Sequence, residues 1–165
     1  MNWFFLTVGY SGLFPKAPGT AGSLVSLIPG LLILAYFGSQ TLFLAAILIG
    51  VVAIKSVDRY ELSSGIHDDK RIVIDELVGM WLALSIAPGV TFEINRLTQL
   101  DNGLLLQIVL SFIFFRIYDI KKPSFIGRID RDVKGGWGVV GDDVIAGVAA
   151  GITTALVYQA IIYYL

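Results

Sequence analysis

Two short stretches carry the residues most able to do chemistry. "RIVIDELVGMW" (residues 71–81) sets Asp75 beside Glu76 at the edge of an apolar run, and "GVVGDDVIAGV" (138–148) repeats the arrangement with Asp142 and Asp143. Gly79 follows Asp75 by four residues, and Gly147 follows Asp143 by four. On a helix these positions share a face. A glycine there leaves room above the carboxylates for a close helix or for a ligand. A single acidic pair in a helix's first turn needs no more than the helix dipole to explain it. Two matched pairs beside hydrocarbon are different, because four clustered negative charges repel and are costly to desolvate. Something positive must sit among them. A hard divalent cation fits an all-oxygen donor set, and His67, the one histidine of the chain, makes a histidine-rich transition-metal site improbable.

Other stretches could complete such a site. Arg116, Asp119 and Lys122 are spaced three apart, so they share a helical face until Pro123 ends it. Two cations flanking a carboxylate make a clamp for phosphate, or an ordinary ion-pair ladder. "FPKAPGTAGS" (14–23) leads into a helix where Gly19, Thr20, Gly22 and Ser23 could offer amides to an anion, with Lys16 alongside. In "GIHDDK" (65–70), His67 and Asp68 lie close enough upstream to reach the same site. "KGGWG" (134–138) supplies a flexible loop before Asp142, with Trp137 as an interfacial anchor and Lys121 and Lys134 as headgroup contacts.

Several chemistries are excluded. There is no cysteine for a thiolate phosphatase, disulfide or zinc-thiolate site. One histidine is too few for a phosphohistidine mechanism with histidine partners. "DRDVK" (130–134) lacks the flanking residues of an aspartyl-phosphatase, and neither a GxxxxGK loop nor a G-x-S-x-G elbow is present. A net charge of −1 gives nucleic-acid binding no electrostatic support.

The elements that must hold these residues are apolar helices. Of 165 residues, 56% are hydrophobic and 15% charged, with mean hydropathy +0.78, where soluble domains carry about 25% charged residues. Residues 17–54 and 144–165 contain no charge. The run from Leu24 to Ile54 would be roughly 46 Å as one helix, too long for a bilayer core of ~30 Å. Pro29-Gly30 and a turn near Gly38 divide it. Leu77–Pro88 and Leu104–Phe115 make a second hairpin, and Val144–Leu165 a final span. The expected fold is therefore all-α: a single domain (1–165) forming an integral membrane bundle of about five apolar segments, two hairpins plus a C-terminal span. "RIVID" is a weak strand signal that runs into a helical pattern. A soluble bundle with a large core is the competing reading, and the charge-free C-terminal segment ending in "AIIYYL" argues against it. Each hairpin goes out and returns, so Lys16 and both polar blocks share one side. That side carries all the Lys and Arg residues except Arg96, and the positive-inside rule makes it cytoplasmic.

Four motifs in order, "PGTAGSL" (18–24), "HDDKRIVIDELVGMW" (67–81), "FRIYDIKKP" (115–123) and "DRDVKGGWGVVGDDVIAG" (130–147), resemble the phosphatidylglycerophosphatase A family, integral inner-membrane enzymes of bacterial phospholipid synthesis. Phe125 stands where many relatives have a second proline. The resemblance implies Mg²⁺-dependent removal of the terminal phosphate of phosphatidylglycerophosphate. It places the family's acidic residues at Asp75, Glu76, Asp142 and Asp143, with Asp119, Lys122 and Asp130 in the other motifs. On this reading Asp75, Glu76, Asp119, Asp142 and Asp143 hold the metal. Asp68, Asp75, Glu76 and Asp142 serve catalysis, and Lys16, Thr20, Arg116 and Lys122 receive the substrate phosphate. Attack by water and attack by a carboxylate both remain open. The competing class is a small transporter or channel using the acidic pairs as an ion site, which would need charges at mid-span.

Overall fold

A computed structural model of the chain describes residues 2–87, 103–123, 126–128 and 132–164. Among these there is no strand. The helices are α1 (Trp3–Leu6), α2 (Pro18–Ser64), α3 (Ile74–Ile86), α4 (Leu104–Lys121) and α5 (Gly136–Tyr164), with a 3-10 turn at Ser11–Leu13. The segment 71–73, where a strand was conceivable, is an irregular lead into α3, tied to α1 by the Val73 amide donating to the Leu6 carbonyl at 2.9 Å.

α2 is 47 residues long but is not one rod. Gly38 has φ 82° and ψ 174°, a conformation that breaks the helix and that only glycine adopts without strain. The two limbs lie against α3 in opposite order. Gly22 faces Val73 and Gly30 faces Trp81, whereas past the break Gly50 faces Val78 and Tyr60 bonds Asp69. The chain therefore turns back at Gly38, where the sequence places the turn. Both limbs run past the expected Leu24 and Ile54 limits, adding polar turns at the end shared with the acidic residues.

α3 is the central post. Nine of its 13 residues are buried, on every side, as expected of a helix enclosed by others. It packs mainly on α2 and α5, and Trp81 Nε1 donates to the Ser26 carbonyl at 2.8 Å. α3 and α5 run parallel, since Gly147 meets Gly79 and Gly151 meets Ala83 and Ile86. The crossing is built on small residues, which let two backbones approach closely. A Cβ on Gly147 would sit 2.3 Å from the Gly79 carbonyl oxygen, and one on Gly79 would strike Phe115 and the Asp143 carbonyl. The room above each acidic pair is thus filled by a helix.

The start of α5 differs from expectation. The helix begins at Gly136, not Val144, so the last three residues of "KGGWG" form its first turn and only Lys134 and Gly135 remain in the loop. The cause is tertiary. Gly136 N–H donates to Asp58 Oδ1 at 2.7 Å, so a carboxylate from the end of α2 caps α5. Gly135 takes φ 74°, and a Cβ on Gly136 would sit 2.2 Å from the Ile54 carbonyl oxygen. Asp142 and Asp143 consequently lie in the second turn of α5, inside the helix.

Two helices, α2 and the Gly136–Ile161 part of α5, are long and apolar enough to cross a membrane. α3, at 13 residues or ~20 Å, is shorter than the ~30 Å hydrocarbon layer. The outer faces are greasy: Leu105, Val109, Ile113 and Ile117 form an exposed stripe along α4, and Ile28, Leu44, Leu48 and Leu156 are likewise exposed. Contiguous apolar surface of this kind marks contact with lipid or another protein. Trp137, Tyr163 and Tyr164 are also exposed, as interfacial anchors would be.

Two consequences are measurable by thermal melting in detergent. Gly147→Val should lower the melting temperature through overpacking that costs about 1–3 kcal/mol; an unchanged melt would deny the tight α3–α5 crossing. Asp58→Ala should cost about 1 kcal/mol as a lost cap, with Asp58→Asn retaining most of it.

Candidate active site

Three helices bring the polar residues to one cavity of ≈ 940 Å³. α3 contributes Asp75 and Glu76 from its first turn, α5 contributes Asp142 and Asp143, and α4 contributes Arg116 and Asp119, with Lys122 just past its end. The rim adds His67, Asp68 and Lys70 on one side and Lys134 on the other. The parallel α3–α5 crossing explains why the two acidic pairs meet: each carboxylate stands one turn before the glycine at the contact.

The five acidic groups divide into two kinds. Asp142 and Asp119 are ion-paired. Lys122 Nζ donates to Asp142 Oδ2 at 2.6 Å, and Arg116 donates to Asp119 Oδ2 at 2.5 Å and to Ser23 Oγ at 3.3 Å. Lys122 reaches Asp142 because its backbone turns left-handed, φ 42°, at the end of α4. Asp75, Glu76 and Asp143 are the other kind. Each offers a carboxylate oxygen within 4.8 Å of the other two. Asp75 Oδ1, Glu76 Oε2 and Asp143 Oδ2 are buried with no hydrogen-bond partner among the described residues. A buried, unpaired carboxylate costs several kcal/mol, and three together cost more.

This donor set fits a hard divalent cation. Octahedral Mg²⁺ holds oxygens at ~2.1 Å, so opposite ligands stand about 4.2 Å apart. At most one pair of the three can stand opposite, and adjacent ligands stand about 3 Å apart, so oxygens within 4.8 Å of one another would draw in by up to roughly 2 Å to share one ion. The expected ligand set of five is thus sorted: Asp75, Glu76 and Asp143 converge, whereas Asp119 and Asp142 hold cations beside them. Among the described residues no other group of acidic or histidine side chains converges this way.

The remaining expected residues fall in three places. Asp68 lines the cavity, in left-handed backbone (φ 51°), with its amide donating to Glu61 at 3.3 Å. His67 is held through Nδ1 by Glu61 at 2.6 Å. Lys16 and Thr20 do not line this cavity; they line a separate groove on the outer side of α2. Gly22 and Ser23 serve packing, not anion binding: Gly22 meets Val73, and Ser23 Oγ donates to the Gly19 carbonyl at 2.9 Å. Asp130 and Phe125 lie outside the described residues.

Some participants were not legible. Lys134, expected at lipid headgroups, is exposed and lines the cavity rim, and Lys70 joins it. Gly19 matters to the site because a Cβ there would sit 2.2 Å from Glu76 Oε1 and push that carboxylate aside. The loop carrying His67 and Asp68 is braced by a network the spacing does not suggest. Arg71 pairs with Asp69 at 2.6 Å and lies over the Trp3 ring at 5.0 Å, and Tyr60 O–H donates to Asp69 at 2.5 Å. The Arg71 guanidinium holds the Asp69 carboxyl well below the ordinary carboxylate range. That stabilisation is present at neutral pH and is lost only as pH falls through the depressed value.

Known proteins place the chain in a family. Residues 4–158 match the family model described as Phosphatidylglycerophosphatase A. The chain is 35% identical over 153 residues to the Escherichia coli protein named phosphatidylglycerophosphatase A, covering 91% of this chain and 80% of that one. It is 32% identical over 148 residues to the Haemophilus influenzae protein of the same name, covering 89% and 83%. A Bacteroides thetaiotaomicron protein, provisionally named phosphatidylinositol-3-phosphatase, is 34% identical over 150 residues, covering 88% and 86%. No solved structure matches the chain. On the family match and these identities, the chain belongs to the phosphatidylglycerophosphatase A family, and so is a phosphoric monoester hydrolase.

Proposed function

We propose that this chain hydrolyses the terminal phosphomonoester of phosphatidylglycerophosphate to phosphatidylglycerol and inorganic phosphate, using Mg²⁺, at the cytoplasmic face of a bacterial inner membrane that its apolar segments cross several times. The observation that carries the reading is the split among the carboxylates: three converge unpaired, while two hold a lysine and an arginine beside them. A phosphomonoester is a dianion at neutral pH, and an all-acidic pocket would repel it. With Lys122 and Arg116 each paired to a carboxylate, a divalent cation held by Asp75, Glu76 and Asp143 would cut their formal charge from −3 to −1 and set positive charge where a phosphoryl oxygen binds. The names of the Escherichia coli and Haemophilus influenzae relatives support the substrate.

The ion's contribution is Lewis-acid charge on the phosphoryl group. The protein's own residues do the rest. Asp142 and Asp119 orient Lys122 and Arg116, so their N–H donors are fixed before substrate arrives. Those donors stabilise charge on the phosphoryl oxygens as the ester bond breaks. One water is consumed, and the departing glycerol oxygen takes a proton. Asp68 and His67 stand at the cavity rim for that transfer. The greasy outer faces of α2, α4 and α5 keep the site at headgroup depth, where a lipid phosphate lies.

The provisional name of the Bacteroides relative makes a phosphoinositide the second candidate substrate. An ion path finds no support. The charged residues of α2, α3, α4 and α5 gather towards the cavity end, and the described helices carry none at mid-length.

Three variants test the site in a phosphate-release assay on purified protein, offering phosphatidylglycerophosphate beside phosphatidylinositol 3-phosphate. Asp75→Asn and Asp143→Asn should each lower turnover roughly a hundredfold or more while eluting as folded protein. Asp142→Asn should lose less, because it frees Lys122 but leaves the three converging carboxylates intact. Equal, near-complete activity in all three would remove the site. Chelation with EDTA should stop turnover and added Mg²⁺ restore it; activity that survives exhaustive chelation would leave the carboxylates without their cation.

A further inference from the structure

The first turns of α2 present two faces with different chemistry. The inward face is made of small residues: Gly19 stands against Glu76, and Ser23 against Arg116. The outward face forms the floor of a groove of ≈ 410 Å³, separate from the carboxylate cavity. Thr20, Ala21 and Leu24 supply that floor from one side of the helix, with the N-cap residue Ala17 just before them. The far wall comes from the segment before α2, including Phe14. The groove is nearly all apolar, and Leu24 and Phe14 stay more than half exposed (51% and 59%). It contains a single cation, Lys16, which is exposed and makes no ion pair or hydrogen bond among the described residues. Ala17 borders both the groove and the carboxylate cavity, so the two are neighbours across the start of α2.

We propose that this groove is a second substrate subsite, holding the phosphodiester and the proximal acyl chain of the lipid whose terminal phosphate enters the cavity. The proposal rests on the function proposed above and adds how the body of the substrate is read. A glycerophosphate headgroup on a phospholipid carries two phosphates, a terminal monoester and an inner diester, joined by a three-carbon bridge. The carboxylate cavity has the chemistry for the monoester, and the neighbouring groove has the chemistry for what remains. Lys16 meets the single negative charge of the diester, and Leu24 and Phe14 meet the first methylenes of an acyl chain. The ridge at Ala17 and Pro18 is where the glycerol bridge crosses. An apolar groove with one unpaired cation matches a singly charged amphiphile, not a free phosphate ion, which would find no hydrocarbon to fit. Lys16 therefore acts on which lipid is hydrolysed rather than on the phosphoryl chemistry.

The test compares two lipids in mixed micelles. Phosphatidylglycerophosphate has both phosphates; phosphatidic acid has a monoester and no diester. Lys16→Gln should raise KM for phosphatidylglycerophosphate roughly tenfold, the size expected for one charge-assisted contact, with a much smaller change for phosphatidic acid. The inhibition constant replaces KM for a lipid that binds without turnover. Ala21→Trp, which fills the groove from an outward-facing position, should do the same. An unchanged ratio between the two lipids in Lys16→Gln would overturn the subsite. Absence of turnover by the wild-type protein on either lipid overturns the proposed function instead. In that case, binding of phosphatidylglycerol, which keeps the diester and lacks the monoester, decides the groove: a roughly tenfold loss of affinity in Lys16→Gln supports it, and equal affinity overturns it.

Discussion

Mutual repulsion among Asp75, Glu76 and Asp143 is the constraint to which the rest of the structure answers. Three carboxylates pressed together at the edge of hydrocarbon are unfavourable by themselves, and the fold tolerates them by bringing positive potential to the same point. Arg116 and Lys122 are held close by Asp119 and Asp142. α2, α3 and α5 all begin near the cavity, so the positive ends of three helix dipoles point at it. These arrangements offset part of the charge, and the proposed divalent ion would offset most of the remainder. Removing the ion would leave the packed helices in place but the cavity strongly anionic, hostile to any phosphate.

The packing follows from the same requirement. Bringing two acidic pairs together requires that the helices bearing them touch along their length, and side chains at the contact would hold them apart. Gly79 and Gly147 remove that obstacle. α3 is enclosed on all sides and short, so it fixes the depth of the site relative to the longer α2 and α5. The residues that brace the rim, Asp69, Arg71, Tyr60 and Trp3, lie outside the apolar segments and secure the strap that carries His67 and Asp68.

The acidic pairs, the glycines one turn beyond them, and the Arg116–Asp119–Lys122 face were legible because they follow a helical period, and period is what a sequence displays. The break at Gly38 was legible for a similar reason: a glycine at the centre of a run too long for one crossing. What could not be read depends on contacts between distant parts of the chain. Nothing near Gly136 shows that Asp58, 78 residues earlier, will cap it and start α5 two turns sooner than the apolar run suggests. Nor does adjacency distinguish Asp142 from Asp143. On a helix, neighbours point about 100° apart, and only the placement of Lys122 decides which one is paired. Lys134 reads as a headgroup contact because it sits in a basic stretch, and its place at the cavity rim depends on where α5 begins.

The fold-back of α2 bears on how the protein enters its membrane. A Cβ on Gly38 would meet no described atom within 4 Å, so that point of the turn is open among the described residues. Both limbs are uncharged from residue 17 to residue 54. The pair can therefore slip into the bilayer from the side on which its ends remain, tip first, without dragging an ion through hydrocarbon.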